Sequence, residues 1–335
     1  MKRICMIAVA ALVFLTSTML WAGGSQEEPG ALLRVAALFP GSIQDADYNT
    51  LGYRALQELG NNYDVEIAYS EKVAVPDAER VLKEYVNAGY DVIWVHGAQF
   101  NSAAIKVGMA NPDTIFVIEI DQRPDEIRDN FFYIQRNYYI GFYVLGRAAA
   151  MKTETGMVGY VGGLELPFTR GQINAINQAF EDSKGDGKLE YVFDGDFNDA
   201  VKAREAAEEL IGKGADVLIS AVNLGNFGLY KAVKQAEREV YLTTTYTSKK
   251  EQAPDHYLTS DLFDFTVPIA DIVGRILYGE TSGFVPMRYG PGKARYTEFP
   301  VNNVSEEQNR MLREIALKVA SGELEVKMNL QEIEE

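Results

Sequence analysis

From residue 32 onward, short apolar runs alternate with amphipathic ones, and that alternation decides the class of fold before any single residue is weighed. "LLRVAALF" (32–39), "DVEIAY" (64–69), "DVIWV" (91–95) and "TIFVIEI" (114–120) read as strands, and the spacing between them predicts helices over about 48–59, 77–88 and 102–109. A second series follows a long helical stretch at 136–156. Its strands are "MVGYVGG" (157–163), "LEYVF" (189–193), "DVLISAV" (216–222) and "VYLTTT" (240–245), with "YLTSDLF" (257–263) and a helix over 267–278 after them. Strands apolar on both faces and alternating with helices predict parallel sheets covered on both sides. Two such series without a low-complexity linker predict an α/β chain of two doubly wound parallel-sheet lobes joined by several crossings at a hinge. The expected division is 32–146 plus 246–280 for lobe one and 147–245 plus 281–335 for lobe two.

The first 30 residues, "MKRICMIAVAALVFLTSTMLWAGGSQEEPG", set Lys2 and Arg3 before an apolar run that ends in small residues, the order of a secretory signal peptide. A signal over 1–24, cut after Ala22 or Gly24, is the expectation, and a membrane anchor is the alternative. Cys5 is the only cysteine and starts the apolar run, so it is not placed for lipid attachment at a cleavage site. An exported chain with no cysteine left must hold its fold by burial alone. The net charge of -16 becomes -18 once Lys2 and Arg3 are lost, which disfavours nucleic acid and anionic lipid as partners. A monomer is expected, in the periplasm or at the outer face of the cytoplasmic membrane.

Sheets of this kind bind ligands beyond the carboxyl ends of their strands. Those segments, among them "FPGSIQDADYN" (39–49), "HGAQFN" (96–101), "EIDQRP" (119–124), "GLELPF" (163–168) and "NLGNFG" (223–228), are rich in aromatic, amide and carboxylate groups that suit a flat small molecule. "VFDGDFNDAVKARE" (192–205) raises the question of a metal, because Asp194, Asp196, Asn198 and Glu205 fall at calcium-loop positions. Asp199 stands where that loop needs glycine, and the flanks read as strand, turn and helix, with Asn198 or Asp199 as the cap. No metal and no cofactor are expected.

At four of these segments the chain resembles the basic membrane protein (PnrA-like) family of exported binding proteins of ABC importers. They are "DADYN" (45–49), "FVIEID" (116–121), "TGMVGYVGGLELPF" (155–168) and "GDFNDAVKARE" (195–205), in the family's order. The resemblance implies a type I periplasmic binding protein fold, ABC importer membrane subunits as partners, and Tyr48 as the aromatic that stacks on the ligand, with Asn49 and Asp121 beside it. Where nucleoside-binding members carry Asp-Asn, a ribose-gripping aspartate and a later lysine, this chain has Phe39-Pro40, Thr245 and Phe263. The resemblance therefore implies the lobes without implying a purine nucleoside.

Each candidate has a plainer role as well. Tyr48 could be a buried ring, Asp121 a cap or partner of Arg123 or Arg136, Trp94 core, and His96 a satisfied structural group. The expected contacts are Phe39, Tyr48, Asn49, Gln99, Phe100, Asp121 and Thr245 with Phe168, Asn223, Gly225 and Phe227 opposite. No G-x-S-x-G, H-E-x-x-H or complete phosphate loop is present, so an enzyme is not expected. The expected function is capture of a small heteroaromatic ligand, nucleoside or riboflavin-like. An exported carboxylate-based hydrolase and a soluble partner of a membrane receptor are the alternatives.

Overall fold

In the computed structural model, which describes residues 32–183 and 187–333, the alternation resolves into β1 (Leu33–Leu38), α1 (Tyr48–Asn62), β2 (Val65–Ser70), α2 (Ala78–Asn87), β3 (Val92–Val95), α3 (Asn101–Met109), β4 (Ile115–Ile120) and β5 (Phe131–Gln135). Then come α4 (Tyr138–Lys152), β6 (Met157–Gly162), α5 (Pro167–Ser183), β7 (Lys188–Phe193), α6 (Ala200–Lys213), β8 (Val217–Ala221), α7 (Asn226–Gln235), β9 (Tyr241–Tyr246) and β10 (Tyr257–Phe263). The chain closes with α8 (Thr266–Leu277), β11 (Gly283–Pro286), β12 (Arg295–Thr297) and α9 (Glu306–Ser321). The expected signal over 1–24 lies outside the described residues.

Among the described residues the strands pair into two six-stranded sheets, β11-β5-β4-β3-β1-β2 and β12-β10-β9-β8-β6-β7. All pairings are parallel except β10 with β12. β3 and β8 are buried along their whole length, which is why their sequences run apolar without alternation. In each sheet the order reverses between a first strand and its neighbour, β1 and β3 in one and β6 and β8 in the other. The loops after these strands flank the crevice where such folds place ligands.

The lobe boundaries differ from the expected ones. β10 continues sheet two through register pairs such as Ser260 with Thr244, so the chain crosses back only at Asp264 and Phe265. α8 then packs on α1, and β11 adds an edge to sheet one beside β5. α4 packs on α5 and α9, so lobe two begins at Tyr138 rather than at residue 147. Local signals fix the helix ends as physical chemistry demands. Asp199 caps α6 through its side chain, and Gly214 ends that helix at a φ of +117° that favours glycine. Ser305 and Gln308 form a reciprocal capping box on α9.

Candidate functional site

The carboxyl ends of the two sheets meet along a seam whose geometry starts with Asp45. Its buried carboxylate accepts from the backbone amides of Asp47 (2.9 Å), Asn49 (3.1 Å) and Thr50 (3.0 Å), so it caps α1 and turns Tyr48 inward. Asn49 spends its amide inside the same loop, donating to Asp45 at 2.7 Å and accepting from Gly41 N at 3.2 Å. Asn49 therefore braces the loop and does not face the seam.

Tyr48 stacks on His96, with ring centroids 3.9 Å apart and planes 19° from parallel. Its hydroxyl donates to Glu119 Oε2 at 2.5 Å, while His96 Nδ1 lies 2.6 Å from Glu119 Oε1. Gly52 makes room for the imidazole, since a Cβ there would lie 2.7 Å from His96 Nε2. Burial by itself would push the Glu119 carboxyl up, but His96, Arg136 and the Tyr48 hydroxyl outweigh it and hold it below the usual carboxylate range. Burial, followed by the Glu119 charge, holds the Tyr48 phenol protonated well above its ordinary range. His96 is thus a satisfied structural group, ringed edge-on by Phe39, Trp94 and Phe265 at 5.3, 5.1 and 4.8 Å.

The aromatic surface continues across the lobes. Tyr48 meets Tyr246 at 5.7 Å and Phe265 at 5.5 Å, and Phe263 stacks near Phe265 at 5.9 Å. Tyr138 touches Phe263 at 5.3 Å and Phe168 at 5.0 Å, and Phe168 stacks on Phe197 at 6.2 Å. Arg136 lies against this wall, its guanidinium 4.9 Å from the Tyr138 ring centre and 5.0 Å from that of Phe168. Its Nε and Nη2 donate to the same oxygen of Asp121, Oδ1, at 3.1 and 2.5 Å. Of the two arginines open to Asp121 in the sequence, Arg136 is its partner. Among the described residues Asp121 Oδ2 and Arg136 Nη1 make no hydrogen bond, and neither is among the polar atoms sealed inside without a partner.

Two buried ion pairs hold the seam. Arg295 and Asp261, both fully buried, face each other where the chain crosses between lobes. Arg295 also donates to the carbonyls of Arg136 (3.0 Å), Asn137 and Tyr138 (3.2 Å), fixing the backbone that presents Arg136. Burial pushes the Asp261 carboxyl up to about 6 against the pull of Arg295, and its Oδ1 is left without a partner. Lys249, from the loop after β9, pairs with Asp47 of lobe one. Burial pushes the Asp47 carboxyl up to about 6 although Lys249 lowers it.

The remaining candidates fall elsewhere. Phe100 is packed behind sheet one with Leu82, Ile93 and Phe116, away from Tyr48, because its short helical turn directs it toward α2 and α3. Thr245 is buried in β9, its hydroxyl 3.4 Å from the Asp261 carbonyl. Phe227 points outward with 55 % of its surface exposed, and with Tyr230, Lys231 and Lys234 it lines a separate 410 Å³ depression. Gln99 is exposed at the rim, near Pro40. Asn223 and Gly225 hold the Phe197 carbonyl through their amides at 2.8 and 3.2 Å, behind Phe168.

The Asp-rich stretch is a ladder of turns. Asp194 Oδ1 accepts from Asp196 N, Asp196 Oδ1 from Asn198 N, and Asp199 Oδ1 from Val201 N, at 2.9, 2.8 and 2.9 Å. No cluster of three or more His, Cys, Asp or Glu able to hold a metal lies among the described residues.

Residues 32–329 match the family model described as ABC transporter substrate-binding protein, PnrA-like. Basic membrane protein B of Borrelia garinii subsp. bavariensis is 25% identical over 286 residues, covering 82% of this chain and 79% of that protein. The putative ABC transporter glucose-binding protein TsgA13 of Haloferax volcanii is 28% identical over 246 residues, 73% of this chain and 61% of its own length. Among solved structures, a solute-binding protein from Aeropyrum pernix K1 superposes with a TM-score of 0.76 at 18% identity over 89% of this chain and 94% of that one. One from Conexibacter woesei DSM 14684 does so at 0.70 and 21%, over 88% and 99%. The fold is thus the type I fold of periplasmic solute-binding proteins.

Proposed function

The chain belongs to the PnrA-like family of ABC transporter substrate-binding proteins, and from that premise we propose that it closes its lobes on a flat, uncharged heteroaromatic molecule. Members of this family are binding proteins rather than enzymes, are exported, and pass a small molecule to membrane ABC subunits. No helix among the described residues is long and apolar enough to cross a membrane. The observation that carries the ligand reading is the aromatic seam. Tyr48 and Arg136 on one side face Tyr246 and Phe168 on the other, at 5.7 and 5.0 Å. Parting the lobes frees these faces, and a flat ring inserted there stacks on both sides, each aromatic pair contributing about 0.5 to 1.5 kcal/mol beyond burial. Contacts to both lobes at once give the ligand its preference for the closed state.

An uncharged ligand fits because Arg136 offsets Asp121. Their free atoms, a guanidinium N–H and a carboxylate oxygen, complement a ring carbonyl beside a ring N–H. A riboflavin-like ring system suits the seam better than a purine nucleoside, because Phe39 and Phe263 are buried, uncharged rings and Thr245 lies inside its strand, so none offers a charge to ribose. The Haloferax relative is named for glucose, and a hexose also lies well on aromatic faces, so glucose belongs in the test. Mass spectrometry of any molecule released on denaturation identifies a carried ligand. Calorimetry of refolded protein with riboflavin, inosine, guanosine, adenosine and glucose should give submicromolar binding for riboflavin. Tight binding of a nucleoside or of glucose with no response to riboflavin overturns the reading.

A further inference from the structure

The Lys249–Asp47 pair is not needed to build either lobe. Lys249 sits in the loop between β9 and β10, both strands of sheet two, and Asp47 sits in the loop between β1 and α1 of lobe one. Yet the two residues are only 5% and 1% exposed. Around them Lys249 Nζ reaches the Ala46 carbonyl at 3.3 Å and the Thr247 hydroxyl, while Thr247 Oγ1 lies 3.1 Å from the same carbonyl and 3.0 Å from Asp47 Oδ1. Ala46 takes a left-handed φ of +60°, unusual for a residue with a side chain. Two residues of lobe two thus dock on one carbonyl and one carboxylate of lobe one, beside the Tyr48–Tyr246 contact.

A buried ion pair adds little net stability, because desolvation cancels most of its attraction, but a closure that mispairs it strands a dry charge. We infer that Lys249 is a positioning residue for lobe closure, its ammonium entering the Asp47 and Ala46 socket as the lobes meet and so fixing the register in which the ligand faces come together. Opening returns both charges to water at no cost to either lobe's fold. The pair therefore acts on closure and leaves the lobes' own folding alone.

The test uses interlobe distances in the mature chain, which lacks cysteine once the segment holding Cys5 is removed. Spin labels at Glu84→Cys on α2 and Glu208→Cys on α6, both exposed, report the separation by pulsed electron resonance. The chain with Lys249 intact is expected to show a short-distance population. Lys249→Met should lower the closed-to-open ratio roughly a hundredfold, the effect of leaving one buried charge alone. Lys249→Arg should retain much of the closed population, and Lys249→Met combined with Asp47→Asn should restore it, because no charge is then stranded. Thermal melts of the single variant should stay cooperative. An unchanged distance distribution in Lys249→Met overturns the inference, as does a loss that the double variant fails to restore. If the single variant does not fold, the double variant alone decides, since it too must give the short distance.

Discussion

Replacing Arg295 with methionine tests the largest energetic claim the seam makes. The substitution leaves the Asp261 carboxylate without its cation in a fully buried site and removes the donor from the carbonyls of Arg136, Asn137 and Tyr138. Removing one partner of a buried pair costs about 3 to 5 kcal/mol, and each dry carbonyl adds about 1 to 3. Even if water reaches two of the three carbonyls, the expected loss is about 4 to 8 kcal/mol, a large share of the stability of an ordinary domain. Arg295→Lys keeps a charge opposite Asp261 but cannot span the fork, so it should lose only the carbonyl part, about 1 to 3 kcal/mol. A pH dependence follows with a definite sign. The folded carboxyl at about 6 exceeds its ordinary 3.8, so the folded state holds this proton more tightly. The stability it contributes is fully present below pH 3.8, falls as pH rises through 6, and amounts to about 3 kcal/mol. Urea unfolding at pH 5 and 7.5, followed by circular dichroism, measures the cost of the substitution and about half of the pH effect, the part lost between pH 5 and 6. The cost of Arg295→Met should be larger at pH 7.5, where the stranded carboxylate would be charged. A loss below about 1 kcal/mol at pH 7.5, or equal losses for methionine and lysine, refutes the role assigned to the fork.

Tyr48→Phe should lower stability by about 1 to 3 kcal/mol in the same assay, because Glu119 Oε2 loses its buried donor; a change within error would mean that the hydroxyl is dispensable. Gly141→Ala sets a Cβ 2.2 Å from the Asp261 carboxyl group, and a cost of about 1 to 3 kcal/mol is expected; a neutral thermal melt would show that the site has slack. Asp199→Ala should cost about 0.5 to 2 kcal/mol through loss of the α6 cap, with no change in the melting temperature on adding calcium to either protein. A calcium-dependent rise abolished by Asp196→Ala would make the turn ladder a metal site.

The fold was readable where burial writes itself into composition. β3 and β8 are covered on both faces and read as unbroken apolar runs, so their number and order follow from the sequence. β5 was hidden because "FFYIQ" runs straight into the apolar start of α4, and neither period dominates. β11 and β12, four and three residues long, are too short to carry any periodicity. Of the candidate site, less is legible. Tyr48, Asp121 and Phe168 lie along one seam at strand ends, as their motifs suggest, while Phe39 packs on Trp94 and His96 inside lobe one. In the sequence Arg136 reads only as a possible partner of Asp121, and Tyr138 and Phe265 carry no local signal; all three owe their position to the crossings, which local patterns do not encode. Lys249 and Asp47 are about two hundred residues apart in sequence, and only the meeting of the lobes pairs them.

Neither sheet is drawn from one continuous stretch of chain, and this bears on export. Sheet one is built from β1 to β5, yet its outer edge waits for β11, whose Pro286 pairs with Gln135. A chain that emerges from its N-terminus, at the roughly 5 to 20 residues per second of synthesis, exposes the open flank of β5 for roughly 7 to 30 s before that edge arrives. Until then α1 also lacks α8, which packs against it. The first lobe thus cannot complete its sheet or cover α1 until most of the second has been delivered, so in an exported chain of this kind the two lobes finish folding nearly together.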